Sequence, residues 1–324
     1  MKKDIYFEEN YGKLYEKIEK GKAKIFKYED ENGLITNQFL IREIPITIDN
    51  HSYFDIVTPY GYGGPIIEKC NNKSQLLINY KEAFEKYCQE NKIVSEFIRF
   101  HPIINNACDF KDIYDVVYLR KTLGTNLEYE DPCFEEFSKS CRKSIRRCIN
   151  KGITYVVNVA PKDISKFKEI YYSTMDRNNA ADYYYFQDEY FNNILKYFPQ
   201  NIITVEAIYE EKTIAMGLYF IYNKILHTHL SGTLSEYLHL SPAYMLRYGA
   251  TLWAKENGYK LMHHGGGRTN LETDSLYLFK KNFSQKTEFD FYIGKKIWNK
   301  EIYERLCQQK HVTDDGSFFP AYRK

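Results

Sequence analysis

Between Leu261 and Phe283 the chain gathers residue types that can handle an activated acyl group. Leu261-Met262-His263-His264 is an apolar run ending in two histidines, and Gly265-Gly266-Gly267 follows at once. Consecutive glycines let a backbone pass close to a ligand or adopt angles closed to other residues. After a short linker comes Phe279-Lys280-Lys281-Asn282-Phe283, near enough for Lys280 to reach back over the glycine turn. Phe279 and Phe283 would hold that lysine against a packed surface. Acyl transfer uses a fixed cation beside the carbonyl oxygen, because that oxygen turns negative in the tetrahedral intermediate. Lys280 is therefore the candidate catalytic residue, with Gly265, Gly266 and Phe279 as candidate substrate contacts. His263 and His264 end a strand and point to opposite faces. His264 is the candidate to orient a nucleophile or act as a base. The plainer alternative is a glycine loop with a surface lysine beside it.

Three further stretches carry candidate binding residues. Thr58-Pro59-Tyr60-Gly61-Tyr62-Gly63-Gly64-Pro65 is a shaped loop from which Tyr60 and Tyr62 are expected to project as a binding wall. Arg177 follows an amphipathic helix and has the paired donors that a phosphate accepts. Of the tyrosines at 183, 184 and 185, at least one should be core, and Tyr185 is taken as the one that lines a site. Lys139, Arg142, Lys143, Arg146 and Arg147 form the basic side of a helix. That side is either plainly solvated or a surface for tRNA phosphates or an anionic headgroup. No metal site is expected, since no carboxylate or third histidine falls at ligand spacing.

These groups need elements to position them. The chain has 324 residues, enough for roughly two domains. Hydrophobic residues make up 44% and charged residues 27%, the balance of a globular protein. Lys and Arg number 45 against 43 Asp and Glu, so basic chemistry must come from local clustering. The 31 Tyr and 21 Phe are enough to wall a polar ligand. Seven cysteines include no CxxC pair, which fits reduced thiols and a cytoplasmic setting. No signal core and no 18-residue apolar run is present. Strands are expected near 37–44, 52–58, 93–100 and 113–121, with a helix from Ser74. Asp131-Pro132 is expected to start one helix buried along Phe134, Phe137, Cys141, Ile145 and Cys148 and closed by Gly152. Beyond it come a strand at 153–159, helices near 163–177 and 188–197, and a meander at 202–209, 213–222 and 225–232. A helix from Ser241-Pro242 to Gly258, a strand at 259–263, a strand near 287–293 and a helix at 299–310 complete the reading. Two successive mixed units make an α+β protein, and the cleft between such halves is a common ligand site.

Taken in order, Thr58–Pro65, the basic helix 139–151, Thr174-Met175-Asp176-Arg177, Ser241–Gly258 and His263–Gly267 with Phe279-Lys280 resemble the FemAB-like branch of the GNAT acyltransferase superfamily. These are the aminoacyltransferases that build peptidoglycan bridges, and their relatives. The resemblance implies two tandem GNAT-like domains, residues 1–125 and 126–324, the second carrying the active site and residues about 299–324 packing back on the first. It implies that Lys280 stabilises the tetrahedral intermediate and that Arg177 contacts the phosphates of a nucleotide-linked acceptor. The implied activity moves an activated acyl or aminoacyl group to an amine, or a hydroxyl, of a cell-wall precursor or surface sugar. The acceptor is small or lipid-linked, the donor is aminoacyl-tRNA or acyl-CoA, and no cofactor is tightly bound. The basic helix is the candidate tRNA surface, and a monomer is expected. Coenzyme A-dependent relatives carry a glycine-rich turn before a helix, whereas this chain has Leu238-His239-Leu240-Ser241-Pro242 there. A non-catalytic binding module for a cell-wall precursor or sugar nucleotide is the alternative.

Overall fold

The computed structural model describes residues 3–324, which divide into two compact units. One runs up to Leu119 and includes Asp290–Lys324, and the other is Arg120–Phe289. This division differs from one drawn after residue 125. Residues 120–125 go with the second unit, and the whole tail from Asp290 goes with the first.

The chain begins with helix α1 (Glu9–Leu14) and a long hairpin, β1 (Gly21–Asp30) and β2 (Gly33–Glu43), registered from Gly21↔Arg42 to Asp30↔Gly33. β1 alternates half-buried and exposed residues and carries three lysines, so its apolar signal is weak and sequence reading passes over it. Strands β3 (Phe54–Val57) and β4 (Ile66–Cys70) frame the Gly/Pro loop. Helix α2 (Lys73–Glu90) is capped by Asn72, which accepts from Gln75 N, and not by Ser74. It buries Leu76, Tyr80, Phe84 and Cys88. After β5 (Ile93–Arg99) come α3 (Ala107–Phe110) and β6 (Asp115–Asn126), which leads into the second unit.

In the second unit the expected single helix is two. Asp131 caps α4 (Pro132–Glu136), and Ser138 caps α5 (Lys139–Asn150). Phe137 between them is extended, so the buried stripe holds for Phe137, Cys141, Ile145 and Cys148, whereas Phe134 is exposed beneath the Arg142 guanidinium. Then follow β7 (Thr154–Val159), α6 (Ser165–Arg177), α7 (Asp188–Tyr197), and the meander β8 (Ile202–Tyr209), β9 (Lys212–Tyr222) and β10 (Ile225–Thr233). Helix α8 (Ala243–Glu256), β11 (Leu261–Gly265) and α9 (Ser275–Lys281) complete it. Strand β12 (Thr287–Ile297) returns the chain to the first unit, where α10 (Lys300–Gln309) packs Ile302, Tyr303 and Leu306 on Ile44, Ile48 and Val94.

The first unit's strands lie in the order β1-β2-β3-β5-β12, with β4 also on β2. Only the β3–β5 pair is parallel. The second unit's order is β6-β11-β10-β9-β8-β7, antiparallel except for β10–β11. The strands of each unit are thus mostly antiparallel with flanking helices, the α+β class. The second unit's core joins Ile145 of α5, Val205 and Tyr219 of the meander, Leu246 and Ala250 of α8, Met262 and Phe283. All seven cysteines are free, and four are buried. Among the described residues no helix is long and apolar enough to cross a membrane.

Candidate active site

Strands β10 and β11 pair in parallel only from Ile225↔Leu261 to His227↔His263. β10 then shifts register against β9 between Thr228 and Leu230, and β11 turns into the glycines. Where the two strands part, α8 delivers a buried arginine. Arg247 Nη1 donates to Thr228 Oγ1 at 3.2 Å and to His264 Nδ1 at 3.1 Å, the first residue past the last paired position on each strand. Its guanidinium lies over the rings of Phe279 at 5.3 Å and Phe283 at 5.5 Å. Aromatic faces stabilise a desolvated cation in part.

Arginine can only donate, so His264 Nδ1 accepts and the ring proton sits on Nε2. That N–H donates to Thr125 Oγ1 at 2.8 Å, and the threonine hydroxyl donates to the Phe283 carbonyl at 2.7 Å. Burial, then the charge of Arg247, hold the His264 pKa well below the ordinary histidine value. A neutral imidazole with both nitrogens engaged has no lone pair for a substrate proton. The expectation that His264 acts as a base is corrected: it is a post between α8 and β6. His263 is also buried, with Nε2 3.1 Å from Thr122 Oγ1.

The glycine turn is clamped from three sides. Gly265 has φ 72, a conformation that glycine adopts without a Cβ clash. Lys280 Nζ donates to the Gly266 carbonyl at 2.6 Å, the reach over the turn that the spacing allows. Arg120 Nη1 donates to Gly267 O at 2.7 Å and Thr269 O at 2.9 Å. Asp274 accepts from Arg268 N at 3.1 Å and Thr269 N at 3.0 Å, and caps α9 by accepting from Tyr277 N at 2.8 Å. Desolvation acts to raise the Asp274 pKa, but these backbone donors prevail and hold it at about 2. One carboxylate therefore ties the loop to the helix that carries Lys280. Burial, then Arg247 and Arg120, push the Lys280 pKa down to about 7, with Asp274 opposing.

The remaining candidates do not converge on this group. Arg177 closes α6, and its Nη1 is spent on Thr233 O at 2.8 Å and Ser235 Oγ at 3.2 Å. Tyr185 donates to Asp176 Oδ1 at 2.9 Å and stacks on Tyr172. Tyr60 and Tyr62 belong to the first unit. Tyr62 does not project: it is buried among Tyr6, His101 and Phe291. Tyr60 is half-buried beside Tyr15, and its carbonyl accepts from Tyr11 OH at 2.8 Å. A turn of this loop packs inward because an aromatic ring gains more from burial than from display. On α5, Lys139, Lys143, Arg146 and Arg147 are exposed. Arg142 instead bonds the Phe134 and Phe137 carbonyls. Among the described residues no group of three or more His, Cys, Asp or Glu is placed to hold a metal.

Comparison with known proteins adds a family for part of the chain. Residues 137–273 match the family described as acetyltransferase (GNAT) domain. The structure is similar to that of FemX, with a TM-score of 0.67 at 13% identity over 93% of this chain and 94% of that one. The fold is FemAB-like GNAT. The C-terminal domain of a candidate lysylphosphatidylglycerol synthetase from Agrobacterium fabrum shares it, with a TM-score of 0.57 at 12% identity over 90% and 89% of the two chains. L-PGS from Bacillus licheniformis does so too, at 0.53 and 14% over 90% and 93%. No curated protein matches the sequence.

In this FemAB-like fold Lys280 lies just past the matched stretch, on α9. Sequence reading missed three residues that shape its surroundings: Arg247, Arg120 and Asp274. Arg247 left one signal, since it sits among Met245, Leu246, Ala250 and Ala254, all on the buried side of α8. A lone arginine in such a stripe rarely lacks a role. Asp274 left another, an N-cap residue opening the helix of Phe279-Lys280.

Proposed function

We propose that this chain is an acyltransferase that moves an activated aminoacyl or acyl group to an amine. The observation that carries the reading is Lys280, held by its own bond to Gly266 O above a clamped glycine turn, within a GNAT fold. The acceptor nitrogen attacks the ester or thioester carbonyl, and the carbonyl oxygen becomes negative beside the Lys280 ammonium. The C–N bond then forms fully, the C–O or C–S bond breaks, and the amine proton leaves with the departing oxygen or sulfur. No covalent enzyme intermediate is needed, because the acyl group arrives activated.

Two features favour an aminoacyl-tRNA ester over coenzyme A as donor. A pyrophosphate at a helix N-terminus needs free amides. At the start of α8, Pro242 has no N–H, while Tyr244 N and Met245 N already bond Ser241 O at 3.2 Å and Pro242 O at 2.9 Å. Meanwhile α5 presents Lys139, Lys143, Arg146 and Arg147 to solvent, with no carboxylate paired to any of them among the described residues. The acceptor is an amine of a cell-wall precursor or surface sugar. The likeness to a candidate lysylphosphatidylglycerol synthetase supports an acceptor that is lipid-linked.

The test offers charged tRNA and acyl-CoA species in parallel, with product mass read directly. Charged tRNA is expected to give product and acyl-CoA not. Lys143→Glu with Arg146→Glu should raise KM for charged tRNA and lower its salt dependence, the slope falling by about 2 for two lost phosphate contacts. Acyl-CoA turnover with charged tRNA inert would refute the donor assignment.

A further inference from the structure

Arg247 carries a guanidinium into the core of the second unit. It is 5% exposed, and among the described residues no carboxylate forms an ion pair with Arg247, Arg120 or Lys280. A buried guanidinium without a counter-charge carries the full desolvation penalty of an ion. Two hydrogen bonds and two aromatic faces offset that in part.

The donors of Arg247 are unevenly used. Nη1 spends its hydrogens on Thr228 and His264. Nε and Nη2 bond no protein group among the described residues, and the residue keeps 5% of its surface exposed. The Nε–Nη2 edge is the pair of parallel N–H groups that grips two oxygens of one carboxylate or phosphate. The other edge is locked by the two parting strands, so the free edge is fixed in direction. The same guanidinium lies over Phe279, the residue next to Lys280.

We infer that the free edge of Arg247, with Lys280 beside it, is a binding site for an oxyanion of the substrate, a carboxylate or a phosphate, at the point where β10 and β11 part. This deepens the acyltransferase reading and rests on it for the identity of the group. The anion supplies the charge that the protein withholds. It also acts on Lys280, which faces Arg247 from α8, Arg120 from β6 and Asp274 at the start of α9, a balance of two cations to one carboxylate. Without an anion, Lys280 gives up its proton near neutrality. With one bound, it stays an ammonium, so the catalytic charge is completed by the substrate.

The test needs neither donor nor turnover. The whole protein is treated with acetic anhydride at pH 7, and acetylation of Lys280 and Lys281 is read by mass spectrometry. Inorganic phosphate, acetate and chloride are compared at equal ionic strength. Only the neutral amine reacts, so phosphate or acetate should slow Lys280 labelling at least threefold relative to chloride and leave Lys281 unchanged. Protection by phosphate alone assigns a phosphate, and by acetate alone a carboxylate. Arg247→Lys keeps the charge and loses the fork, so it should abolish the protection. Should that variant fail to fold, Lys280→Met in calorimetry serves instead, with weaker phosphate or acetate binding than the parent. Equal labelling of the parent in all three salts overturns the inference, as does protection that survives in Arg247→Lys. Failure of the transfer assay with protection intact would refute the acyltransferase reading and leave the anion site standing.

Discussion

Lys280→Met is expected to lower transfer by about 10²–10³-fold while acceptor binding stays nearly intact. The ammonium interacts with the carbonyl oxygen more strongly as that oxygen gains charge, so the loss appears in kcat and not in KM. Methionine keeps much of the aliphatic stem against Phe279, so the fold should hold. The neighbouring Lys281 is the control: it pairs with Glu288 at 3.0 Å, and Lys281→Met should change turnover little. The pH dependence gives the sign. Lys280 has a pKa of about 7 in the free protein and must carry its proton to stabilise an oxyanion. The profile of kcat/KM, which reports the free enzyme, should therefore fall as pH rises through about 7. The profile of kcat should hold to higher pH, because a bound anion keeps the lysine charged. Lys280→Met should erase the first limb. A limb that rises through this range instead would recast Lys280 as a proton acceptor, and turnover within threefold of the parent would remove it from the chemistry.

His264→Ala should destabilise the protein by about 2–5 kcal/mol, through the cavity left by the ring and the unpaired donors around it. The ring links the buried Arg247 to Thr125 and, through it, to the Phe283 carbonyl. Its removal leaves the guanidinium with one acceptor, Thr228, and leaves the Thr125 hydroxyl without its donor. Against a total stability of about 5–15 kcal/mol this is a large share. Denaturant unfolding followed by circular dichroism measures it. Loss of activity should track loss of folded protein, and the surviving folded fraction should keep the parent's kcat/KM limb. A variant as stable as the parent but inactive at every pH would return His264 to the role of a base.

The α+β class was legible in the sequence because it depends on local periodicity. The strands at 202–209, 213–222 and 225–232 are local runs rich in β-branched and aromatic residues, the helix 188–197 writes its buried face at the helical period, and the structure places all four as read. The Lys280 reach over the glycines was legible too, because fourteen residues of chain separate the bonded atoms and the turn is short. Tyr62 was misread because a Gly/Pro loop looks the same in sequence whether its rings face outward or, as here, pack on Phe291 from the far end of the chain. Arg177 was read as a phosphate ligand from its place after a helix, and the fold adds that its Nη1 ties the end of that helix to Thr233 and Ser235. The tail joined the first unit because Tyr322 and Ser95, 227 positions apart, share a buried hydrogen bond. Local pattern thus determined the elements and put a lysine near a glycine turn. Tertiary structure alone decided that His264 is a post and that Arg247 stands in the parting of β10 and β11. Those facts rest on contacts such as Thr125–His264, 139 positions apart, which no local period encodes.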